Sequence, residues 1–251
     1  MIPKIIHYCW FGRNPLPPLA VKCINSWKKY FPDYIIKEWN EDNFDVNIVS
    51  YTAEAYREKK YAFVSDYARF WILYTYGGVY FDTDVEVIKS MDDIIEHGPF
   101  MGCENDGTVA STITSGLGLG CNPGLGLGCD SGLLFYKEIL NLYSSLHFSE
   151  NGQIQLKTVV EYTTKKMLTH GLKNTNEIQY IAGIYIYPRE YFCPINLVTQ
   201  KLEITPRTYS IHWYVGSWRE VGIGGRMKLI LRKFIPDSWL MHYNKWKNSK
   251  C

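Results

Sequence analysis

Between residues 2 and 81, short extended apolar runs alternate with stretches whose apolar residues recur at helical spacing. Residues 2–10 read as a buried strand, and a loop rich in Gly and Pro follows through Gly12, Pro15, Pro17 and Pro18. Residues 19–30 then place Leu19, Cys23, Ile24 and Trp27 on one helical face. Residues 34–39 read as a second strand, 53–60 and 65–76 as helices, and Val79-Tyr80-Phe81 as a third strand behind the glycine pair Gly77-Gly78. This rhythm predicts an α/β fold with a mostly parallel central sheet flanked by helices. Ligands of such sheets sit beyond the carboxyl ends of the strands, where Trp10 and Asp82 both fall. With 251 residues, 46% of them hydrophobic, the chain can bury one substantial core.

The third strand runs into Asp82-Thr83-Asp84. Side chains at i and i+2 of an extended segment point the same way, so the two carboxylates can face one bound group together. Paired acidic oxygens suit a hard divalent cation that also holds phosphate oxygens. Exposed turns carry such a pair often, so the neighbouring residues decide its meaning. Asp66 and Arg69 lie at i, i+3 of the preceding helix and share a face. Their ordinary reading is an intrahelical ion pair. Their functional reading has Arg69 meeting a phosphate or sugar hydroxyl while Asp66 holds it or accepts a sugar hydroxyl.

Further along, Gly-Leu-Gly-Leu-Gly-Cys occurs twice, at residues 116–121 and 124–129. The spacing does not fit a dinucleotide fingerprint, and the expectation is a flexible, close-packed loop. Residues 151–170 read as helix, 178–187 as strand and 209–214 as a late strand broken by Gly216-Ser217-Trp218. Residues 219–251 carry eight Lys or Arg against Glu220 and Asp237, a net +6. The whole chain is only +2, which leaves −4 for the remainder and implies no nucleic-acid partner. Seven scattered cysteines form no C-x-x-C pair, which argues against a structural zinc or a disulfide framework. The first residues lack the apolar core of a signal peptide and no run is long enough to span a bilayer, so a cytoplasmic location is expected.

Four motifs in order carry a resemblance: residues 2–12 (IPKIIHYCWFG), Asn25-Ser26-Trp27, Ser65-Asp66-Tyr67-Ala68-Arg69, and Gly77-Gly78-Val79-Tyr80-Phe81-Asp82-Thr83-Asp84. Tyr191-Phe192-Cys193-Pro194 and residues 210–218 (SIHWYVGSW) extend it. Over most of residues 1–218 the chain resembles the family 32 glycosyltransferases, D-x-D enzymes common in capsular polysaccharide synthesis and distantly similar to the glucosylating clostridial toxins. The resemblance implies a GT-A-type, nucleotide-diphospho-sugar transferase fold and a retaining transfer of a hexose from a UDP-sugar. It implies that Trp10 stacks on the uracil, that Asp66 and Arg69 contact the sugar and ribose-phosphate side, that Asp82 touches sugar or ribose, and that Asp84 binds metal. His212 is the expected late metal ligand, since an imidazole suits Mn²⁺ (or Mg²⁺) beside carboxylates; its bland alternative is a hydrogen-bonded core histidine. Ser217 and Trp218 are expected to close over the diphosphate, whereas His7 reads as a packed core residue.

The expected acceptor is a saccharide or a lipid-linked oligosaccharide of a surface polysaccharide. Residues 219–251 form a separate basic segment, with Met227, Ile230, Leu231 and Phe234 at i, i+3, i+4, i+7. It is read either as a helix docked on the core or as a peripheral contact with an anionic membrane face. Two other classes compete. Haloacid-dehalogenase phosphatases place D-x-D after an apolar strand but want Thr or Val where this chain has Glu86. A non-catalytic nucleotide- or saccharide-binding module needs no complete metal set, and Asp82, Asp84 and His212 supply one.

Overall fold

A computed structural model describes residues 1–106, 119–150, 153–154, 157–196, 199 and 201–214. Ser217, Trp218 and the basic segment 219–251 lie outside the described residues, as does the stretch 107–118 that begins the first glycine repeat. The chain opens with β1 (Ile5–Cys9), α1 (Pro18–Tyr30), β2 (Ile35–Trp39), α2 (Ser50–Arg57), α3 (Tyr61–Tyr76) and β3 (Gly78–Tyr80). It continues through β4 (Val85–Val87), α4 (Asp92–His97), β5 (Phe100–Asp106), β6 (Leu119–Cys129), α5 (Leu134–Tyr143), β7 (Ser149–Glu150) and β8 (Gln153–Ile154). The last described elements are α6 (Val159–Thr169), β9 (Gln179–Ile181), β10 (Ile184–Tyr187), α7 (Arg189–Phe192) and β11 (Ser210–His212).

The main sheet has seven strands in the order β2-β1-β3-β6-β5-β10-β9. Parallel pairing joins β1 to β2 and β3, and β5 to β10. Antiparallel pairing joins β6 to both β3 and β5, and β9 to β10. Only β6 and β9 therefore run against the rest, and the expected α/β fold with a mostly parallel sheet flanked by helices is borne out.

Period-2 alternation in the strands splits the core between the two faces. Tyr80 joins a cluster with Phe63, Phe70, Met101, Leu127 and Tyr136 beneath α3 and α5. Its neighbours Val79 and Phe81 join Ile6, Trp27, Phe100 and Phe192 on the opposite face, beneath α1 and α7. Helix α1 starts with Pro18 in its first turn, where the missing N–H is unneeded, and has Lys28 and Lys29 in its last turn beside the carbonyl end. It buries Cys23, Ile24 and Trp27, as its spacing predicts. Helix α3 ends at Gly77, whose φ of 66° closes the last turn. His7 is a packed core residue, 1% exposed. Its Nδ1 accepts from the Trp39 indole N–H at 3.0 Å, which leaves Nε2 to donate to the Gly77 carbonyl at 3.0 Å. A Cβ on Gly78, at φ 99°, would stand 2.9 Å from that Nε2.

Three expectations need correction. The second glycine repeat, read as a loop, is strand β6 at the centre of the sheet. Its glycines are there because their neighbours fill the side-chain space: a Cβ on Gly128 would meet the Phe100 ring at 2.2 Å, and one on Gly126 the Phe81 ring at 3.0 Å. Helix α6 begins at Val159 rather than near residue 151, capped by Thr158, whose side chain accepts from the Glu161 N–H; the β7–β8 pair precedes it. Residues 178–187 form two strands, turning at Ala182 (φ 52°) and Gly183 (φ 83°).

Candidate active site

The D-x-D is not an extended continuation of β3: Thr83 and Asp84 form a turn. The Val85 N–H donates to the Asp82 carbonyl at 3.0 Å, a tight turn between β3 and β4. The two carboxylates still converge, because the turn brings both to the same cleft wall. A separate antiparallel pair, β4–β11, sets His212 opposite Val85, and the Trp213 N–H donates to the Asp84 carbonyl at 3.0 Å. Ligand atoms of Asp82, Asp84 and His212 all lie within 4.8 Å of one another, with His212 Nε2 at 3.2 Å from Asp84 Oδ1.

Support for β4 comes from α1. Trp27 Nε1 donates to the Val85 carbonyl at 2.8 Å, and Ser26 Oγ accepts from the Val87 N–H at 2.9 Å. The Ser26-Trp27 motif thus steadies the backbone behind the carboxylates. The Tyr191–Pro194 motif anchors β11 at its other end: the Tyr209 N–H donates to the Tyr191 carbonyl at 2.8 Å, and Cys193 Sγ lies 2.7 Å from the Tyr214 hydroxyl.

Arg69, with 3% of its side chain exposed, lies between two carboxylates. Its guanidinium stands 2.9 Å from Asp66 and 3.2 Å from Asp82, while Nε donates to the Ser65 carbonyl at 3.0 Å. The i, i+3 ion pair is therefore real and is one arm of a three-residue network that runs from the buried Asp66 and Arg69 to the half-buried Asp82 of the D-x-D. Burial pushes the Asp66 carboxyl above the ordinary range, with Arg69 pulling it back and the Val159 backbone N–H helping. Burial would lower the Arg69 guanidinium, but Asp82 and Asp66 hold it above its ordinary value. Tyr80, two residues before Asp82 and buried, donates its hydroxyl to Asp82 Oδ1 at 3.0 Å.

Beside these groups opens a cleft of about 430 Å³ whose walls include Trp10, Asp66, Arg69, Asp82, Asp84 and His212. Every sequence-predicted site residue among the described ones thus lines a single cavity. Trp10 follows β1 with its indole N–H bonded to the Asn14 carbonyl at 2.6 Å. Ser217 and Trp218 lie outside the described residues. Cleft residues that sequence reading missed include Glu104, Asn122, Tyr214 and Lys59. The available signal for Glu104 was a single acid closing the apolar run Phe100-Met101-Gly102-Cys103.

The donor set fits a divalent ion: two carboxylates and an imidazole suit Mn²⁺ or Mg²⁺. His212 is 7% exposed, and its Nδ1 has no hydrogen-bond partner among the described residues, unusual for a histidine serving only the core. Burial lowers its proton affinity, but Asp84 first, then Asp82 and Glu104, raise it beyond that loss.

Residues 17–101 match the family described as the glycosyltransferase sugar-binding region containing a DXD motif. Inositol phosphoceramide mannosyltransferase 1 of Schizosaccharomyces pombe is 32% identical over 111 residues, covering 40% of this chain and 33% of that protein. The chain thus spans about a third of that relative's length. An uncharacterised glycosyltransferase, L373 of Acanthamoeba polyphaga mimivirus, is 26% identical over 195 residues, covering 75% of this chain and 74% of that one. Among solved structures, the PaToxG glycosyltransferase covers 67% of this chain and 69% of its own at 18% identity, with a TM-score of 0.48. The matched residues 17–101 include Asp66 and Arg69 of α3 and the Asp82-Thr83-Asp84 turn.

Proposed function

We propose that this protein is a metal-dependent, retaining glycosyltransferase that moves a hexose from a nucleoside-diphosphate sugar, in the first instance a UDP-sugar, to a saccharide or lipid-linked acceptor. The observation that carries the proposal is the convergence of Asp82, Asp84 and His212 within 4.8 Å, in the same cleft as Trp10, Asp66 and Arg69. Asp84 and His212, with Asp82 beside them, would hold Mn²⁺ or Mg²⁺. When bound, that ion supplies Lewis-acid stabilisation of the charge left on the diphosphate as the anomeric bond breaks. Trp10 offers an aromatic face to the nucleobase. Arg69, held on both sides by carboxylates, presents a fixed positive charge to the sugar-phosphate side, and Asp66 and Asp82 supply acceptors for sugar hydroxyls. Negative oxygens near the anomeric centre favour an oxocarbenium-like state.

In this reading residues 1–218 are the catalytic domain and residues 219–251 the basic segment that reaches an anionic membrane face where lipid-linked acceptors are presented. No helix among the described residues is long and apolar enough to cross a membrane. Synthesis of a surface or capsular polysaccharide on the cytoplasmic side is the setting this suits. Relatives named as mannosyltransferases place mannose among the sugars to be tried. A panel of UDP- and GDP-sugars, each with and without Mn²⁺, tests the proposal by thermal stabilisation and by release of the nucleoside diphosphate. One donor should stabilise the chain and be hydrolysed only with metal. Binding without metal-dependent donor loss would make the protein a binding module, and phosphate release from simple phosphoesters would make it a phosphatase.

A further inference from the structure

The glycine-rich strand β6 meets the D-x-D directly. Pairing of β5 with β6 slips between Met101–Leu127 and Gly102–Asn122, so residues 123–126 bulge out of the ladder beside the cleft. In that bulge the Gly124 carbonyl accepts from the Asp82 N–H at 3.1 Å, and the Gly124 N–H donates to Asn122 Oδ1 at 2.7 Å. Asn122 is itself buried and is oriented by donating its amide to Glu104 Oε2 at 2.9 Å. A Cβ built on Gly124 would lie 1.9 Å from Asp82 Oδ2 and 2.8 Å from its carboxyl carbon. The carboxylate therefore stands in the space where any other residue would place its side chain.

We propose that β6 is the seat of Asp82: Asn122 fixes the backbone at Gly124, and the bare α-carbon there leaves the volume the carboxylate occupies. Asn122 and Gly124 are thus positioning residues for the cation site. The inference rests on the metal reading given above, and it gives the second glycine repeat a role beyond packing. Partners that orient a ligating carboxylate govern metal affinity as well as the ligands do.

The test is Mn²⁺ titration of the full chain, followed by the paramagnetic resonance of free Mn²⁺ and expressed per folded molecule. Gly124→Ala and Asn122→Ala should each weaken Mn²⁺ binding by about tenfold or more. In an Asp82→Ala background the Gly124→Ala change should add nothing, since its effect runs through that carboxylate. Gly128→Ala, which crowds the Phe100 ring instead, should lower the melting temperature and leave the Mn²⁺ affinity of the folded fraction alone. Wild-type affinity in Gly124→Ala, or an equal further loss in the Asp82→Ala background, overturns the proposal. Should Gly124→Ala fail to fold, Asn122→Ala decides by the same two readings. A wild-type chain that binds no Mn²⁺ sinks the metal reading by itself. The seat is then judged from a crystal structure of either variant, where Asp82 still 3.2 Å from Arg69 refutes it and a displaced carboxylate sustains it.

Discussion

His7 links three parts of the fold, and its chemistry makes a measurable demand. The neutral ring satisfies both partners, donating from Nε2 to the Gly77 carbonyl and accepting at Nδ1 from Trp39. A second proton would turn Nδ1 into a donor facing another donor inside the core. Burial accordingly lowers its pKa from 6.5 to about 4, the Gly77 carbonyl partly opposing that fall and the Lys37 charge adding to it. The unfolded chain takes up a proton near pH 6.5 while the folded chain resists until about pH 4. Between those values the unfolded state binds more protons, so stability rises with pH across the window. His7's contribution is complete above about pH 6.5 and is lost as pH falls towards 4, by about 3 kcal/mol at 1.36 kcal/mol per unit. Urea unfolding of the wild type and of His7→Gln, measured from pH 4 to pH 8, isolates this effect, because distant carboxylates cancel in the difference. The difference curve should slope only between pH 4 and 6.5, and the His7 ring protons should titrate near 4 by NMR. A flat difference, or a ring titrating near 6.5, refutes the reasoning.

Three further outcomes are expected. Asp84→Ala should abolish donor turnover with the circular dichroism spectrum and melting transition kept, and unchanged turnover would reject its place in the cation site. Trp10→Ala should weaken binding of the free nucleoside diphosphate by about 1–3 kcal/mol, the worth of one base-on-aromatic stack, read by calorimetry; undiminished affinity would put the base elsewhere. Arg69→Met leaves the buried Asp66 carboxylate and the half-buried Asp82 without their shared cation and should cost about 3–5 kcal/mol in chemical denaturation at neutral pH, with part of it regained on acidification as Asp66 protonates. A loss under 1 kcal/mol would mean that the network is screened as surface pairs are.

Local pattern made the frame of this fold legible: α1, α3, β1 and β2 fall within a few residues of the spans their apolar spacing predicts. The cleft residues were legible too: Trp10 and Asp82 follow strands the pattern defines, and Asp66 and Arg69 share a helix face by their i, i+3 spacing. The glycine strand was not. Its residues have low strand propensity; pairing with both β3 and β5 holds Leu127 and Gly128 extended, and the rings of Phe81 and Phe100 fill the side-chain space absent at Gly126 and Gly128. Nothing local to residues 119–129 carries that information. The Asp82–Asp84 turn escaped for a similar reason, since the bond from Val85 to the Asp82 carbonyl is compatible with the same residues that an extended segment would use.

His212 shows where such reading reaches and where it stops. Its residue type and late position suggested a metal ligand, yet what brings it to Asp84 is a three-residue ladder between β4 and β11, too short to stand alone in water. The ladder persists because each strand is fastened from elsewhere, β4 by Ser26 and Trp27 of α1, and β11 by the Tyr191–Tyr209 backbone bond and the packing beyond it. Further ties cross the pair itself: Trp213 Nε1 donates to Glu86 Oε2 at 2.9 Å, and Lys22 of α1 reaches the same carboxylate oxygen at 2.7 Å. The Asp82–Asp84–His212 cluster is thus held together by α1 and α7 as well as by the β4–β11 ladder. Residues of α1, far in sequence from all three side chains, thus help set the distance of Asp82 and Asp84 from His212.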